Sequence, residues 1–384
     1  MTATNNDAGA TTDGVAAQAE SEGITNIALT ADDAEAGSLF DASVIHSIDM
    51  TFDQTDYTDM LSVFIETEEK EWFEATVTID GVTYEEVGVK LKGNSSLFGV
   101  TLDAAPEELP WIIRLDKYVD DQNHEGYVDL VVRSNNTTTA LNEAVALELL
   151  GDAGLATEKA IAIGFAVNGS DSTLRLVVEH PDDVWMTDYF SSEGALYKAE
   201  SDGDYSYRGD DEDAYDDIFD QEAGKDNTDL APLTEFLDFI NNSDDASFAA
   251  ELSDKLDVNS FATYLAMMDL VDNFDDIDGP GNNSYLYYDT ETDQFTVVPW
   301  DLNLAFGVTN GGGGGGAGAV QGGAVQGGGR GGPPVDAGAL DSAVTQDPAA
   351  AAAGTRPERV GGGAGAGAQG GGGPNGSNIL AERF

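Results

Sequence analysis

Apolar and polar positions alternate along much of the first half of the chain and recur at helical spacing along much of the second. Residues 44–52 alternate well enough for a strand, and 56–67 read as a short helix. Residues 74–79 and 83–92 alternate on either side of Asp80-Gly81, a dipeptide suited to positive φ, and so predict a tight hairpin. In its second strand Val87, Val89 and Leu91 share one face. Gly88, Lys90 and Lys92 share the other, next to the loop Gly93-Asn94-Ser95-Ser96. Further strands are predicted at 111–115, 127–133, 160–167 and 173–179, the last two turning through Asn168-Gly169. Residues 139–150 read as a helix with Thr139 as N-cap, an apolar set of Leu141, Val145 and Leu149, and Gly151 past its end.

The character then changes. Residues 201–221 hold nine acidic side chains and four aromatics. Helical spacing follows at 230–240, 247–256 and 259–270, then an Asp/Asn/Gly-rich loop at 272–283, then a hairpin of 285–288 with 295–299. Strands first and helices later predict an α+β chain rather than a βαβ repeat. The expected organisation is a β-rich part at 37–179 and a helical part at 180–307 that carries the last hairpin. Residues 1–36 read as a disordered acidic leader with neither the basic nor the apolar region of a signal peptide. Residues 308–377 are Gly/Ala-rich and cannot bury a core, so they read as a disordered tail. Residues 378–384 look like the opening of a helix, as though the chain were truncated there.

Composition narrows the chemistry. With 72 acidic and 16 basic residues the chain carries a net charge of −56. Such a charge repels nucleic-acid phosphates and anionic membranes. It suits a protein adapted to high salt, where screening over ~3 Å at about 1 M suppresses self-repulsion. There are no cysteines, which excludes disulfides, thiolate metal sites and Cys nucleophiles. No run of about 18 apolar residues is present, so no transmembrane segment is expected. His46, His124 and His180 have no ligand spacing.

Hairpin geometry singles out one constellation. If 285–288 pairs antiparallel with 295–298, Asn283 lies near Asp301 at the open end. An amide oxygen beside a carboxylate is a hard-oxygen pair suited to Mg²⁺ or Mn²⁺. The loop upstream supplies Asp272, Asp275, Asp276 and Asp278, one of which could accept a proton from a substrate hydroxyl. A plain Ca²⁺ loop or a solvated acidic surface is the alternative for the same residues. Lys90, Lys92 and Arg114 stand on adjacent predicted strands and are candidate phosphate contacts. Glu143, early on the 139–150 helix, could anchor one of them. Lys198 is a further candidate cation, and strand-surface lysines remain the alternative throughout.

The segment Val87-Gly88-Val89-Lys90-Leu91-Lys92-Gly93-Asn94-Ser95-Ser96 resembles the VGVRxKGNSS signature of the spore coat protein H (CotH) kinase family. Later blocks follow in the family's order. Pro110 to Tyr118 resembles PxxIxFDKY, Leu141-Asn142-Glu143 resembles LRE, and Val178-Glu179 resembles the end of GxYxLVE. Leu196-Tyr197-Lys198 resembles LYK, Asn273-Phe274-Asp275 resembles NxD, Asn283 to Tyr287 resembles NYYLY, and Pro299 to Asn303 resembles PWDLN. The blocks span about 270 residues.

The resemblance implies an atypical two-lobed protein-kinase-like fold, β-rich N-lobe and helical C-lobe, that transfers the γ-phosphate of ATP to serine hydroxyls of a protein substrate. It implies Asp275 as the catalytic-loop carboxylate, with Asp278 as rival, and Asn283 and Asp301 as ligands of Mg²⁺ or Mn²⁺. Lys90, Lys92, Arg114, Glu143 and Lys198 are the expected nucleotide-site residues. Lys90 stands where the family usually has Arg, which keeps the charge but loses the bidentate fork. The acidic excess suits a haloarchaeal member. A monomer is expected; family members are often secreted or coat-associated, which leaves the location of this one open. The second expectation is a non-catalytic relative, either a pseudokinase or a Ca²⁺-binding surface protein.

Overall fold

The computed structural model describes residues 38–93, 95–135, 137, 139–200, 204–277, 283–308 and 378–384. The predicted leader, most of the Gly/Ala-rich tract and Asp278 lie outside the described residues.

The first half of the chain builds a closed barrel from β1 (His46–Thr51), β2 (Phe73–Ile79), β3 (Val82–Leu91), β4 (Trp111–Arg114), β5 (Asp129–Val132), β6 (Ala160–Val167) and β7 (Thr173–Glu179), in the order β1-β2-β3-β4-β5-β7-β6. Parallel pairing of β1 with β6 closes it. Two of its hairpins turn on the dipeptides the pattern marked. Asp80-Gly81 has φ of 48° and 85°, and Asn168-Gly169 has 50° and 76°, the paired positive values of a tight hairpin turn that follows the strand twist. Alternation sends Ile48, Val89, Leu91, Trp111, Ile113 and Phe165 into the barrel, all buried. Helix α1 (Gln54–Thr67), capped by the Asp53 carboxylate on the Thr55 amide, adds Tyr57, Met60 and Leu61 to this core.

A second core forms against the outside of the barrel. Its sheet has the order β11-β10-β8-β9, from β8 (Gly194–Ala199), β9 (Phe219–Ala223), β10 (Ser284–Asp289) and β11 (Gln294–Pro299). Around it lie α2 (Asn142–Asp152), α3 (Asp183–Tyr189), α4 (Ala231–Asn242), α5 (Asp245–Lys255) and α6 (Val258–Leu270). Val131, Leu176 and Val178, on the outer face of β5 and β7, join this core with Ala146, Leu147 and Leu150 of α2. All four residues of β5 are therefore buried, which is why the run Asp-Leu-Val-Val shows little alternation. The α+β class expected from the pattern is observed.

Three elements escaped the pattern. The 3.6-residue period is illegible in the seven residues of α3. Strand β8 is buried along most of its length and so does not alternate. Strand β9, Phe-Asp-Gln-Glu-Ala, is the edge of its sheet and reads as polar. Helix α2 is displaced from its expected position. It starts at Asn142 with no side-chain N-cap, and Ala140 turns the chain with φ of 56° just before it. Leu141, Val145 and Leu149 are 40%, 49% and 38% exposed, while Glu143, Ala146, Leu147 and Leu150 face inward. Gly151 lies inside the helix, and Gly154 takes the positive φ after it.

The last described residues return to the second core. Helix α7 (Ile379–Arg383) buries Leu380, and Arg383 donates to the Ile240 and Ser243 carbonyls at the C-terminal end of α4. Phe384 meets the Phe261 ring edge-on at 4.8 Å.

Gly224, after β9, has φ of +74°, and a Cβ there would lie 2.0 Å from the Gly194 carbonyl oxygen and 2.7 Å from the Ala195 Cα. Both are backbone atoms that cannot swing aside. Gly224→Ala is expected to cost roughly 2–4 kcal/mol from strain and overpacking, measured by urea unfolding. A loss under about 0.5 kcal/mol, the range of neutral surface changes, would contradict this close approach.

Candidate functional site

Register on the barrel's outer face sets the site. Gly88 pairs with Arg114 and Arg114 with Asp129; Lys90 pairs with Ile112 and Ile112 with Val131. One step further, the Lys92 amide donates to the Pro110 carbonyl and the Arg133 amide to the Leu176 carbonyl. Positions 88, 90 and 92, at and just past the end of β3, thus share a face with 129, 131 and 133, at and just past the end of β5.

Lys92 and Arg133 converge on Asp301. The Lys92 ammonium donates to Asp301 Oδ2 at 2.5 Å. Arg133 Nη1 stands 3.0 Å from Oδ1, an ion pair. Arg133 Nη2 donates to Glu143 Oε1 at 2.5 Å, so one buried guanidinium joins helix α2 to the segment after β11. Both cations lie over the Trp300 ring, at 5.2 and 4.9 Å. Asp301 has φ of 56°, a left-handed turn that leads into the short helical turn Leu302–Leu304. Asn142 of α2 donates its amide to the Asn303 carbonyl and docks that turn against the helix.

Burial pushes the Asp301 carboxyl up, but Arg133 and then Lys92 outweigh it and hold it well below the usual carboxylate range. Burial, followed by repulsion from Arg133, brings Lys92 down to about 8, with Asp301 opposing. Glu143 is raised by burial, with Arg133 opposing.

Asn283 and Asp275 flank this network. The last hairpin pairs Ser284 with Pro299 and Tyr285 with Val298, in the expected register. Asn283 therefore enters β10 beside the exit from β11. Its amide donates to Asp275 Oδ2 at 2.9 Å and to the Asp275 carbonyl at 2.8 Å. The Asp275 carboxyl is raised by burial and then by the charge of Asp301, with the Asn283 bond opposing.

The other expected residues are placed differently. Glu143 pairs with Arg133, not with Lys90 or Lys92, because inward rotation of α2 aims it at the end of β5. Arg114 is two positions along the face from that end and binds Asp116 at 2.9 Å, with Asp129 at 3.7 Å. Lys90 lies 4.6 Å over the Trp72 ring, which Lys117 also approaches at 5.1 Å. Lys198 pairs with Glu200. Glu179 turns away from this face: its Oε2 accepts from the Lys159 amide at 3.2 Å and its Oε1 lies 3.8 Å from the Lys159 ammonium. Arg133 was missed. Its signal was parity with Asp129 and Val131, readable once the outer face of β5 is known to be covered.

Removing Glu143 would leave Arg133 buried and half-paired. Glu143→Ala is expected to cost about 3–5 kcal/mol in chemical denaturation, and Glu143→Leu combined with Arg133→Met to recover part of it. Glu179 yields a pH test. Burial raises its carboxyl to about 7, with Lys159 opposing. The folded state then holds this proton more tightly than the unfolded state. Its contribution is full below the unfolded value and is lost as pH rises from about 4.5 to about 7. Across that window Glu179→Gln should gain roughly 2–3 kcal/mol relative to wild type, read from urea midpoints at several pH values. A constant difference between the two proteins would contradict it.

Inner spore coat protein H of Bacillus subtilis (strain 168) is 24% identical over 172 residues, which cover 44% of this chain and 46% of that protein. The chain thus spans about half the length of the curated relative it matches. The family described as CotH kinase protein matches residues 89–349, from β3 past the Asp301 turn. A match over that much of the chain makes this protein a member of the CotH kinase protein family.

Proposed function

We propose that the chain is an atypical protein kinase that transfers the γ-phosphate of ATP to serine hydroxyls of a protein, with Mg²⁺ or Mn²⁺. The observation that carries this is the Glu143–Arg133–Asp301–Lys92 network. A strand-borne cation paired to a helix glutamate, within reach of an aspartate after a hairpin, is the arrangement with which protein kinases hold ATP phosphates. On this reading the barrel and α2 make one lobe, and the second sheet with α4 to α6 makes the other.

Charge supports the same reading. In a chain of net charge −56 with 16 basic residues, Lys90, Lys92, Lys198, Arg114 and Arg133 gather around one face of the barrel. A polyphosphate has few other places where the field favours it.

The donors at the Asp301 turn fit a hard cation. Asp301 Oδ1 is held by Arg133 at 3.0 Å, a cation a metal ion would replace, and the Asn283 amide nitrogen is engaged by Asp275, which directs its oxygen elsewhere. Among the described residues no cluster of three or more His, Cys, Asp or Glu is arranged to hold a metal. Mg²⁺ suits such a sparse set because it takes its remaining ligands from water and phosphate. When bound it would neutralise charge on the transferring phosphoryl group.

The chain's own residues do the rest. Lys92 and Arg133, now held by Asp301, would turn to the phosphate oxygens. Glu143 keeps Arg133 oriented. Asp275 accepts the proton of the serine hydroxyl as its oxygen bonds to the γ-phosphorus and the bond to the ADP oxygen breaks.

The test is phosphate transfer from labelled ATP with Mg²⁺ or Mn²⁺, at low and high salt. Asp301→Ala and Arg133→Ala should each lose at least about 10²–10³-fold. Comparing Asp275→Ala with Asp278→Ala assigns the base to the one that abolishes transfer. Full activity in Asp301→Ala would overturn the mechanism. Nucleotide binding without transfer would mark a pseudokinase, and no binding at any salt would mark a structural protein.

A further inference from the structure

Two neighbouring side chains outside the Asp301 network each bury a polar atom that has no hydrogen-bond partner: Asp129 Oδ1 and His180 Nδ1. Asp129 opens β5 and His180 follows β7. His180 Nδ1 stands 3.8 Å from Asp129 Oδ2, and Arg114 Nη1 stands 3.7 Å from the same oxygen. Neither separation is a hydrogen bond. The imidazole ring stands 5.7 Å from the Trp300 ring at 82°, the same indole that carries Lys92 and Arg133. His180 therefore shares a platform with the two cations that grip Asp301.

A purely structural pair at this depth would gain by closing its gap. The pair is surrounded by charge. The groups facing the ring are Lys198 from β8, Lys92 and Lys90 from β3, and Arg133 after β5, with Asp129 as the nearby acid. Burial, then those cations, bring the imidazole down to about 3. Asp129 faces Arg114, Asp182, Asp116 and Glu222, and burial raises it to about 7 with Arg114 opposing. The cations that repel an imidazolium are the ones the nucleotide reading gives to the phosphates.

We infer that Asp129 and His180 belong to the polyphosphate site as a proton-linked pair: a polyphosphate bound among Lys90, Lys92, Lys198 and Arg133 cancels their charge, His180 takes up one proton, and its imidazolium closes on the Asp129 carboxylate. The proton comes from solvent, or from Asp129 when that carboxyl carries one, and no other bond changes. The pair then stiffens the junction of β5, β7 and the Trp300 segment around the bound anion. The inference rests on the nucleotide reading and assigns it two residues that act through charge rather than by transferring phosphate.

The test uses the full chain labelled with ¹⁵N at histidine, with and without MgADP, across a pH series. There are three histidines, so the His180 signals are assigned from His46→Gln, His124→Gln and His180→Gln. Without nucleotide, His180 should stay neutral throughout the range in which an ordinary histidine titrates. With MgADP it should titrate near the ordinary value of about 6.5. In Asp129→Asn the bound-state titration should move back down. If MgADP binds while His180 stays neutral, the inference falls and the nucleotide reading stands. If MgADP binds at no pH, both fall.

Discussion

The Asp301 carboxylate is held from two directions, and much of the structure meets at that grip. Lys92 reaches it from just past β3 and Arg133 from just past β5, while Glu143 on α2 holds the other side of the same guanidinium. Four charged groups are thereby taken out of water with net charge zero. Buried ions of this kind stabilise little relative to apolar packing, yet each becomes costly once its partner is lost. The network therefore specifies an arrangement more than it strengthens one: the helix, the barrel wall and the post-hairpin turn can keep their charges paired in few other ways.

That constraint explains features that look unrelated. β5 is buried on both faces because its inner residues fill the barrel while its outer residues underlie α2 and lead to Arg133. α2 exposes Leu141, Val145 and Leu149 because the opposite face must present Glu143. Trp300 meets two cations on its face and stands near-perpendicular to the rings of His180 and Tyr285, so a single indole ties the two cations to the second core. In a chain with so large an acidic excess, this face gathers several of the 16 basic residues.

Much of the fold was legible because its signals are local. Asp80-Gly81 and Asn168-Gly169 mark hairpins by the φ values they tolerate, and the alternation of β3 separates its lysines from Val87, Val89 and Leu91 without knowledge of any partner strand. The pairing of 285–288 with 295–298 followed from two short apolar strands and a polar turn, and it carried Asn283 to the exit of β11. Local signals failed where burial came from elsewhere. β9 is polar and α3 brief, and the apolar stripe of α2 pointed outward because a glutamate took the inward face.

The sequence by itself determined the alternation that makes the barrel strands, the turns between them, the charge balance, and the approach of Asn283 to the Asp301 segment across one hairpin. Each depends on neighbours close along the chain. Only the tertiary structure decided which cation meets which carboxylate. Glu143 is ten residues from Arg133, but Lys92 is 209 residues from Asp301. Pairing across that distance depends on barrel closure and on the rotation of one helix, and no local pattern encodes either.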